Sequence, residues 1–530
     1  MTEKKQVAIV GAGMAGLTAA AYLLRENYDV LLLEKNDRCG GLVNTFNQGG
    51  FSFDAGPRAF VNSGMVKPIL KDLGIQGEFL GNKISLGIED DLVYVESMES
   101  LSAYQKMLEK YYPDSLAYIN RIIPEIRKLS EYTRILYEFD NPNFVDIMSD
   151  KKYIFQELLP WLFKFLIALR KMNKYSMPME DFLDGLTDNQ PLFDSITQFF
   201  FRKTPTYFAL GYFYVYLDYF YPAGGTGSLP RLLEDKILES GGKIQLNTHI
   251  TEVKPAECKV IDSEGNSYDY DHLIWSADLK SLYRNVNPEG LNPEIRQEIA
   301  SDKKRILAAK GAESVTILFL AVDRPPSYFQ ARGGPHMFYS PERSGLGETH
   351  RGLREDLLDH FEKKTKDEII SWLRDFCQKN TYEVSIPVLR DSSLAPEGQT
   401  GIMISFLSDY HINKKVQEAG WYDEFKEIME KELVEIFSRT VYPDLSDDIL
   451  FQFLSTPLTI NKISGSSEGA ITGWSFETEI PVINQLKDIP NSVLTPIPDV
   501  FKAGQWAYAP AGVPIAMLTG WHAVQKIIKG

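Results

Sequence analysis

The chain has 530 residues and a formal net charge of −16 at pH 7, from 72 acidic and 56 basic side chains. This balance argues against nucleic acid as a partner, because neutralising phosphates requires clustered lysine and arginine. The length predicts more than one domain, and 44% hydrophobic with 24% charged residues is typical of a folded chain. Three cysteines and seven histidines show no ligand or disulfide spacing, so we expect neither a metal site nor a disulfide framework.

The first motif is a glycine-rich turn near the N-terminus. The apolar run 6–10 predicts a buried strand, and the residues 17–24 after the turn predict an amphipathic helix. Gly11 permits a tight turn, Gly13 lets the backbone approach a pyrophosphate, and Gly16 lets the helix and the strand pack closely. The N-terminus of the helix then faces the phosphates with its free N–H groups.

An acidic residue at the end of the next predicted strand completes this motif. The apolar run 29–33 predicts the strand, and Glu34 follows it at once. Its carboxylate can therefore accept hydrogen bonds from a ribose hydroxyl. A strand, a glycine turn, a helix and an acidic residue about 20 positions further on form the dinucleotide-binding fingerprint, whereas the glycines alone would be weak evidence.

A second glycine block follows, with Gly-Gly at 40–41 and then the run 49–58, Gly-Gly-Phe-Ser-Phe-Asp-Ala-Gly-Pro-Arg. It resembles the block of the flavin amine oxidase and phytoene desaturase superfamily in which Gly-Gly-Arg precedes Gly-Phe-x-Phe-Asp-x-Gly-Pro. The resemblance implies that the dinucleotide is FAD, bound non-covalently. Leu42 stands where the family usually has an arginine that contacts the cofactor, and Arg58 and Lys35 are the nearby charged residues that can compensate.

The region after the second block is predicted to be mostly helical, because apolar residues recur there at spacings of three and four. Helices are predicted over 66–73, 101–111 and 116–136, and the segment 156–171 is the most apolar of the chain. Residues 207–221, which are rich in tyrosine and phenylalanine, are predicted to be strand-like.

A third block begins at 221–225, which reads Tyr-Pro-Ala-Gly-Gly, and a helix to Glu239 and a strand region 243–253 are predicted after it. The block resembles the Tyr/Phe-Pro-x-Gly-Gly segment of carotenoid desaturases and isomerases. The resemblance implies that the following strand returns the chain to the flavin domain and that a backbone group near Ile250 holds the adenine end of the cofactor. A strand and loop over 269–278 then lead out of this domain.

The pattern between about 290 and 490 mixes strands with helices. The predicted strands are 314–322, 383–388 and 401–407, and the predicted helices are 363–379 and 421–437. Residues 325–350 are rich in proline, glycine and charge, which predicts a loop.

The last motif is a strand that ends at Gly504 and a helix that is opened by Ala-Gly-Val-Pro at 511–514 and runs to 528. Proline suits the first turn of a helix. The free N–H groups and the positive dipole end at this N-terminus can stabilise the negative charge that develops on a reduced flavin. The block is similar to the C-terminal glycine signature of the same family.

We therefore predict an α/β fold with a discontinuous, Rossmann-like FAD-binding domain of the glutathione-reductase type, made of residues 1–65, 222–290 and 490–530. A substrate domain with a mixed sheet and helices is predicted over 66–221 and 291–489. The residues expected to contact FAD are Gly11, Gly13, Ala15, Gly16, Glu34, Lys35, Gly40, Gly41, Leu42, Gly56, Pro57, Arg58, Ile250, Gly504, Gln505, Gly512, Val513 and Pro514.

The three blocks lie in order across almost the whole chain, which thus resembles the FAD-dependent phytoene desaturase family of carotenoid desaturases, carotenoid isomerases and retinol saturases. The resemblance implies hydride transfer between flavin N5 and a C–C bond of a long hydrophobic polyene or isoprenoid, as desaturation, saturation or isomerisation. The cofactor carries this chemistry, and no catalytic residue is identified. Two alternatives stay open: an amine or porphyrinogen oxidase, expected to have charged groups facing the flavin, and a non-catalytic flavin-binding protein or carrier of hydrophobic ligands.

The sequence also predicts where in the cell the protein is found and whether it contacts a membrane. Without an apolar N-terminal signal or an uninterrupted apolar stretch of about 18 residues, we expect a cytoplasmic protein that is peripheral to the membrane at most. Residues 158–171 are the expected membrane contact, with Trp161, Phe163 and Phe165 at the interface and three cationic residues for the headgroups. A buried helix is the alternative. The sequence does not determine the oligomeric state.

Overall fold

The structure is a computed structural model that describes residues 5–145 and 154–529. Its strands are β1 (Gln6–Val10), β2 (Asp29–Leu33), β3 (Thr45–Gln48), β4 (Phe51–Asp54), β5 (Phe60–Val61), β6 (Phe79–Gly81), β7 (Ile84–Ile88), β8 (Asp91–Val95), β9 (Tyr219–Pro222), β10 (Lys243–Gln245), β11 (Ile250–Lys254), β12 (Lys259–Asp262), β13 (Ser267–Asp269), β14 (His272–Trp275), β15 (Ser314–Val322), β16 (His336–Ser340), β17 (Tyr382–Ser385), β18 (Thr400–Ser408), β19 (Ile449–Ser455) and β20 (Val500–Lys502).

The helices are given in the same order. They are α1 (Met14–Arg25), α2 (Val66–Asp72), α3 (Leu101–Tyr111), α4 (Leu116–Tyr137), α5 (Leu159–Met172), α6 (Met179–Asp184), α7 (Gln190–Thr197), α8 (Thr206–Asp218), α9 (Ser228–Glu239), α10 (Leu279–Asn285), α11 (Pro293–Ala308), α12 (Pro326–Gln330), α13 (Gly347–Asp359), α14 (Lys366–Lys379), α15 (Tyr410–Glu418), α16 (Tyr422–Arg439), α17 (Pro457–Ser464) and α18 (Val513–Lys529).

Within the described part of the chain, five parallel strands form one sheet in the order β10-β2-β1-β14-β20. Because side chains alternate along a strand, Val7 and Ile9 of β1 pack into the core formed with α1 and α18. Ala8 and Val10 pack on the opposite face, against the small sheet β11-β12-β13. Both faces are therefore covered, as is usual for parallel sheets.

This sheet collects strands from distant parts of the chain. β1 and β2 come from the first 65 residues, β10 and β14 from 222–290, and β20 from 490–530. The order of the strands thus agrees with a discontinuous α/β domain, although the limits given for the two domains stay a prediction.

A seven-stranded mixed sheet, counted over the same described residues, has the order β19-β15-β18-β17-β16-β7-β8. The pair β16 and β7 is parallel and the other pairs are antiparallel. One face, which carries Leu318, Val384 and Ile404, is covered by helices α14 to α16. The other face carries Phe319 and Met403 and turns toward β4 and the glycine blocks. This second face is the one that borders the candidate site.

Most predicted elements are confirmed, and three predictions are wrong in part. Residues 207–221 form helix α8 followed by β9 rather than a strand-like region. The predicted loop 325–350 contains α12, strand β16 and the start of α13. The predicted strand 383–388 ends at Ser385, and a short helical turn follows it.

Helix α8 shows why the strand prediction failed. Its aromatic residues have high strand propensity, but Phe208, Tyr212 and Tyr216 recur every four residues and stack edge-to-face along one helix face. Gly211 lies against Thr133 of α4 so closely that a Cβ would collide with the threonine hydroxyl. Packing against α4 therefore overrides the local preference.

Candidate active site

The glycine turn between β1 and α1 leaves space in front of the helix. Gly11 has a φ of +99°, a conformation that glycine adopts at no steric cost. A Cβ on Gly13 would meet no atom within 4 Å, whereas one on Gly16 would collide with the carbonyl of Gly11. Gly13 is the N-cap residue of α1, and no side chain caps the first turn. The N–H groups of this turn are therefore directed at an open cradle of the kind that phosphates occupy.

Glu34 borders this turn. Its carboxylate is buried and accepts hydrogen bonds from the backbone N–H of Ala12 at 2.7 Å and of Asn36 at 2.9 Å. The Glu34 carbonyl accepts from the N–H of Thr248 at 2.8 Å, and Ile250 is buried in the core that includes the end of β2. The structure thus brings the acidic residue, the turn and the Ile250 region together.

Lys35 lies beside this region. Its ammonium group lies against Gly465, and burial lowers the pKa of Lys35 while Glu34 counteracts that effect. The Lys35 charge is thus placed next to Glu34.

The second glycine block packs on the first. The N–H of Gly40 donates to the carbonyl of Ala12 at 2.8 Å, and a Cβ on Gly41 would lie 3.3 Å from the Cα of Gly13. A Cβ on Gly56 would collide with the carbonyl of Leu42, so the segment with Gly56 and Pro57 runs directly beside the Gly-Gly pair. The half-buried Leu42 side chain supplies no charge.

The C-terminal block meets the start of α1. The N–H of Gly504 donates to the Thr519 hydroxyl at 2.9 Å, and a Cβ on Gly504 would lie 3.5 Å from the Cβ of the buried Ala15. Helix α18 begins at Val513 with Pro514 in its first turn and the exposed Gly512 just before it. The Gln505 amide lies near the Ser466 hydroxyl at 3.5 Å and the Ala470 carbonyl at 3.4 Å.

These observations fit a bound flavin dinucleotide. The open cradle at Gly13, the uncapped first turn and the adjacent Glu34 carboxylate are the features that a pyrophosphate and a ribose require. Among the described residues, no group of three His, Cys, Asp or Glu side chains is placed to hold a metal ion.

Arg58 contacts β4 and the seven-stranded sheet. It is 2% exposed and donates from Nη1 to the Asp54 carbonyl at 2.6 Å and to the Met403 sulfur at 3.5 Å. Its Nε is buried without a hydrogen-bond partner. These contacts do not test whether Arg58 compensates for the arginine that Leu42 replaces, which stays a prediction.

Asp54 joins the N-terminal and the Tyr-Pro-x-Gly-Gly blocks. Its fully buried carboxylate accepts from the Tyr221 hydroxyl at 2.7 Å, from the Thr226 N–H at 2.8 Å and from the Thr45 hydroxyl at 2.7 Å. Burial and this carboxylate raise the pKa of Tyr221, which stays protonated as the donor. Residues more than 160 positions apart are thereby fixed to one another.

A chain of four polar side chains ends at a carboxylate beside Arg58. Arg390 Nε donates to the Asn82 side-chain oxygen at 2.6 Å, which turns the Asn82 amide nitrogen toward His336 Nδ1 at 3.0 Å. Since this nitrogen must then accept, the proton of the neutral imidazole lies on Nε2 and is donated to Glu383 at 2.9 Å. The relay thus determines the tautomer of His336.

The charge states in this relay have a physical cause. Burial lowers the pKa of His336 despite the attraction of Glu383, so the imidazole is neutral near pH 7. Burial alone would raise the pKa of Glu383, but the hydrogen bond from His336 and the charge of Arg58 hold it below the usual range. Glu383 is therefore an oriented carboxylate.

The Glu383 side chain is only partly buried. It exposes 32% of its side-chain surface, and its neighbours include His336, Arg58 and the Ser405 hydroxyl. Tyr212 and Tyr219 lie close enough to Glu383 to interact with its charge, and both are half-buried. Their hydroxyls are 2.5 Å apart. The Tyr219 ring lies 5.7 Å from that of His336. Burial raises the pKa of Tyr212 to about 12, so this aromatic neighbour of Glu383 is neutral.

The sequence reasoning did not find Asn82, His336, Glu383 or Arg390. His336 lies in the segment predicted to be a loop, and the other three lie in separate segments of the chain. The only local signal is a carboxylate inside the short apolar strand β17.

Comparisons with known proteins agree with this geometry. The family model described as flavin containing amine oxidoreductase matches residues 14–528. The chain is 23% identical to the 4,4'-diapophytoene desaturase (4,4'-diaponeurosporene-forming) of Staphylococcus aureus strain COL over 547 aligned positions, which cover 99% of each protein.

Two solved structures share the fold. An oxidoreductase from Methanosarcina mazei has a TM-score of 0.61 at 13% identity and covers 99% of this chain and 100% of its own. Putrescine oxidase bound to putrescine has a TM-score of 0.58 at 13% identity and covers 100% of both chains. The chain therefore belongs to the flavin containing amine oxidoreductase family and is an FAD-dependent oxidoreductase.

Proposed function

We propose that this enzyme oxidises or reduces a C–C bond of a long hydrophobic isoprenoid that binds next to Glu383. The observation that carries the proposal is the group of half-buried aromatic side chains next to Glu383, to which Tyr212 and Tyr219 belong. Aromatic side chains offer large apolar surfaces to a long, unsaturated ligand. The similarity to a diapophytoene desaturase over the full length supports the same substrate class.

We infer that the residues of the three glycine blocks hold FAD, with the first turn of α1 and Gly13 at the pyrophosphate and Glu34 at a ribose. FAD supplies the hydride acceptor or donor. The protein binds and orients the substrate and excludes water from the site. The substrate side of the site is the face of the seven-stranded sheet that carries Met403 and Glu383.

The oxidase alternative has one observation in its favour. Glu383 and Arg58 are charged groups near this site, as we expected for an enzyme that oxidises amines or porphyrinogens. Arg58 opposes an ammonium group at this place, because like charges repel in a medium of low dielectric constant. We therefore keep the isoprenoid as the first candidate.

We also propose that the enzyme docks on a membrane through one face of α5. Leu159, Leu162, Phe163, Leu166 and Ile167 on this helix are 40–68% exposed. Contiguous exposed apolar surface marks an interaction site, and cationic residues at the end of the helix suit lipid headgroups. Within the described residues, no helix is both long and apolar enough to cross a membrane.

The structure corrects which aromatic residues of α5 are exposed. Trp161 donates from its ring nitrogen to the Ile135 carbonyl at 2.8 Å and stacks on Phe139 at 4.4 Å, and Phe165 packs on Trp161 at 5.0 Å. Trp161 and Phe165 thus face the protein, whereas Phe163 is exposed as predicted.

The test is expression in cells that produce a linear carotene, followed by absorption spectra and chromatography of the pigments. We expect the number of conjugated double bonds or their geometry to change, and we expect no change with a Gly13→Val variant. Unchanged pigments, together with hydrogen peroxide formed from amines by the FAD-loaded enzyme, would support the oxidase alternative. Binding without any turnover would support the carrier.

A further inference from the structure

One edge of the seven-stranded sheet is open. β19 is the outermost strand and pairs with β15 on one side, and among the described residues no other backbone forms hydrogen bonds along its second side. Alternate residues of an antiparallel strand direct their N–H and C=O groups away from a given neighbour. β19 therefore has a row of unpaired donors and acceptors, with which another strand can pair.

β19 lacks the features that usually keep the edges of sheets apart. Its sequence is Ile-Leu-Phe-Gln-Phe-Leu-Ser, without charge or proline, and its one irregularity is near its start, at Leu450. Charged side chains, prolines and covering loops are common protections of an edge. β8, at the opposite edge, begins with Asp91, which forms an ion pair with Lys110. Of the two edges of this sheet, β19 is thus the one suited to pairing.

The side chains of β19 are incompletely covered. Leu450 is 49% exposed, and the other residues of the strand are half-buried although they pack into cores on both faces of the sheet. Phe453 stacks on Phe319 at 4.8 Å, and Phe451 contacts Phe51 edge-to-face at 5.7 Å. These rings form an aromatic layer between the sheet and β4. The layer ends at β19, where apolar surface remains in contact with water.

The order of the residues in β19 is complementary to itself. When two copies of the strand lie antiparallel about a two-fold axis at Gln452, Phe451 of each copy lies opposite Phe453 of the other. Directly opposite side chains lie on the same face of a sheet and contact each other. The two phenylalanine pairs would therefore continue the aromatic layer from one copy into the other, and the axis gives both copies the same contacts.

The charges that border this edge are of both signs. Gln452 donates from its side-chain amide to Glu430 of α16 at 3.4 Å, and Lys426, one helical turn before Glu430, interacts with its charge. Asp448, just before β19, forms an ion pair with Arg324. Next to the strand, each of these carboxylates thus has a cationic neighbour. The net charge of −16 opposes association of two copies, but salt screens this repulsion beyond about 8 Å at physiological ionic strength.

We propose that β19 is the interface of a symmetric dimer, in which two copies of this chain pair antiparallel about Gln452 and join their seven-stranded sheets into one continuous sheet. Any strand could satisfy the backbone groups, whereas a second β19 also places phenylalanine opposite phenylalanine. Seven residues on each side make a small interface, so we expect a dissociation constant that is roughly micromolar. The proposal concerns assembly and does not depend on the substrate of the enzyme.

The first test is sedimentation velocity of the FAD-loaded protein between about 1 and 200 µM at about 0.15 M salt. We expect the sedimentation coefficient to rise with concentration from that of the 60.2 kDa monomer to that of a dimer. Leu450→Lys should keep FAD and weaken the dimer about tenfold or more, because it places a charge on the apolar edge.

Two variants control for effects outside the edge. Leu238, on α9, is 53% exposed, so Leu238→Lys makes the same change on another surface and should dimerise like the wild type. The exposed apolar face of α5 is the other surface through which copies could associate. Phe163→Ser/Leu166→Ser removes apolar side chains from that face and should also dimerise like the wild type.

A cysteine cross-link tests the register. Residues opposite each other in an antiparallel pair have Cα atoms about 4.5–5.5 Å apart, which a disulfide can span. Gln452→Cys should therefore form an interchain disulfide under mild oxidation. Leu450→Cys should not, although Leu450 is more exposed, because its two copies lie four strand positions apart, about 13 Å. The wild-type chain, with its three native cysteines, is the background control.

Three results would overturn the proposal. The first is a monomer at every concentration. The second is a dimer that Leu450→Lys leaves unchanged or that the α5 double variant dissociates, since the interface then lies elsewhere. The third is equal cross-linking of Leu450→Cys and Gln452→Cys, which is incompatible with a two-fold axis at Gln452.

Discussion

The replacement of Gly13 by valine tests FAD binding separately from folding, because the variant is expected to fold and to lose the cofactor. Gly13 has φ −76° and ψ −179°, an extended conformation that valine adopts readily, and a Cβ there meets no atom within 4 Å. The protein itself therefore has room for a Cβ at this position. The isopropyl group would fill the space in front of α1 that we assign to the pyrophosphate.

The expected loss follows from the contacts that the valine side chain blocks. Two hydrogen bonds from the first turn to a charged phosphate are worth roughly 1.5–3 kcal/mol each, or about 3–6 kcal/mol together. The dissociation constant of FAD should then rise about 10²- to 10⁴-fold. The assay is the ratio of flavin to protein absorbance after purification, followed by titration of the apoprotein with FAD under fluorescence detection.

Two other glycines provide the controls. Gly81, at the end of β6, is exposed and also has open space at its Cβ, so Gly81→Val should fold and keep FAD. Gly16→Val should fail at an earlier step, because its Cβ would collide with the Gly11 carbonyl and lower the melting temperature of the apoprotein. Full FAD occupancy in Gly13→Val would refute the assignment of the cradle.

Three more predictions concern Glu34, Asp218 and helix α5. Glu34→Ala should weaken FAD binding by about 1.5–3 kcal/mol; an unchanged affinity in the fluorescence titration would remove Glu34 from the site. Burial raises the pKa of Asp218 to about 6, above its value of about 4 in the unfolded chain. Its contribution to stability is therefore complete below about pH 4 and lost as the pH rises through about 6. Asp218→Asn should abolish this decline in thermal unfolding experiments, and an identical pH profile would contradict the reasoning. Phe163→Ser/Leu166→Ser should release the enzyme from sedimenting liposomes with FAD still bound, whereas Trp161→Ser should lower the melting temperature; a double variant that sediments like the wild type would place the docking surface elsewhere.

The sequence by itself determined the elements whose signals are local. Strand, glycine turn and helix follow one another within 20 residues, so the role of Gly11 and Gly16 could be inferred from spacing and sterics alone. The same holds for the start of α18, with Pro514 in its first turn, because the requirements of a helix N-terminus are local to that turn. The order of the blocks along the chain then indicated the family.

Only the tertiary structure decided the features that depend on distant partners. β16 has little local signal, and it exists because it pairs with β7, about 250 positions earlier in the chain. Helix α8 exists because Gly211 permits close packing on α4 against the strand preference of its aromatic residues. Trp161 faces the protein because the Ile135 carbonyl accepts its N–H.

The polar residues around Glu383 are the clearest example of an arrangement that only the tertiary structure decided. Asn82, His336, Glu383 and Arg390 come from four segments and meet because the neighbouring strands β16 and β17 and the segments before β7 and after β17 place them side by side. No spacing rule connects such residues, since their distances are set by strand order and register. The charge of Arg58 was visible in the sequence, but its contacts with the Asp54 carbonyl and the Met403 sulfur depend on the packing of β4 on the seven-stranded sheet.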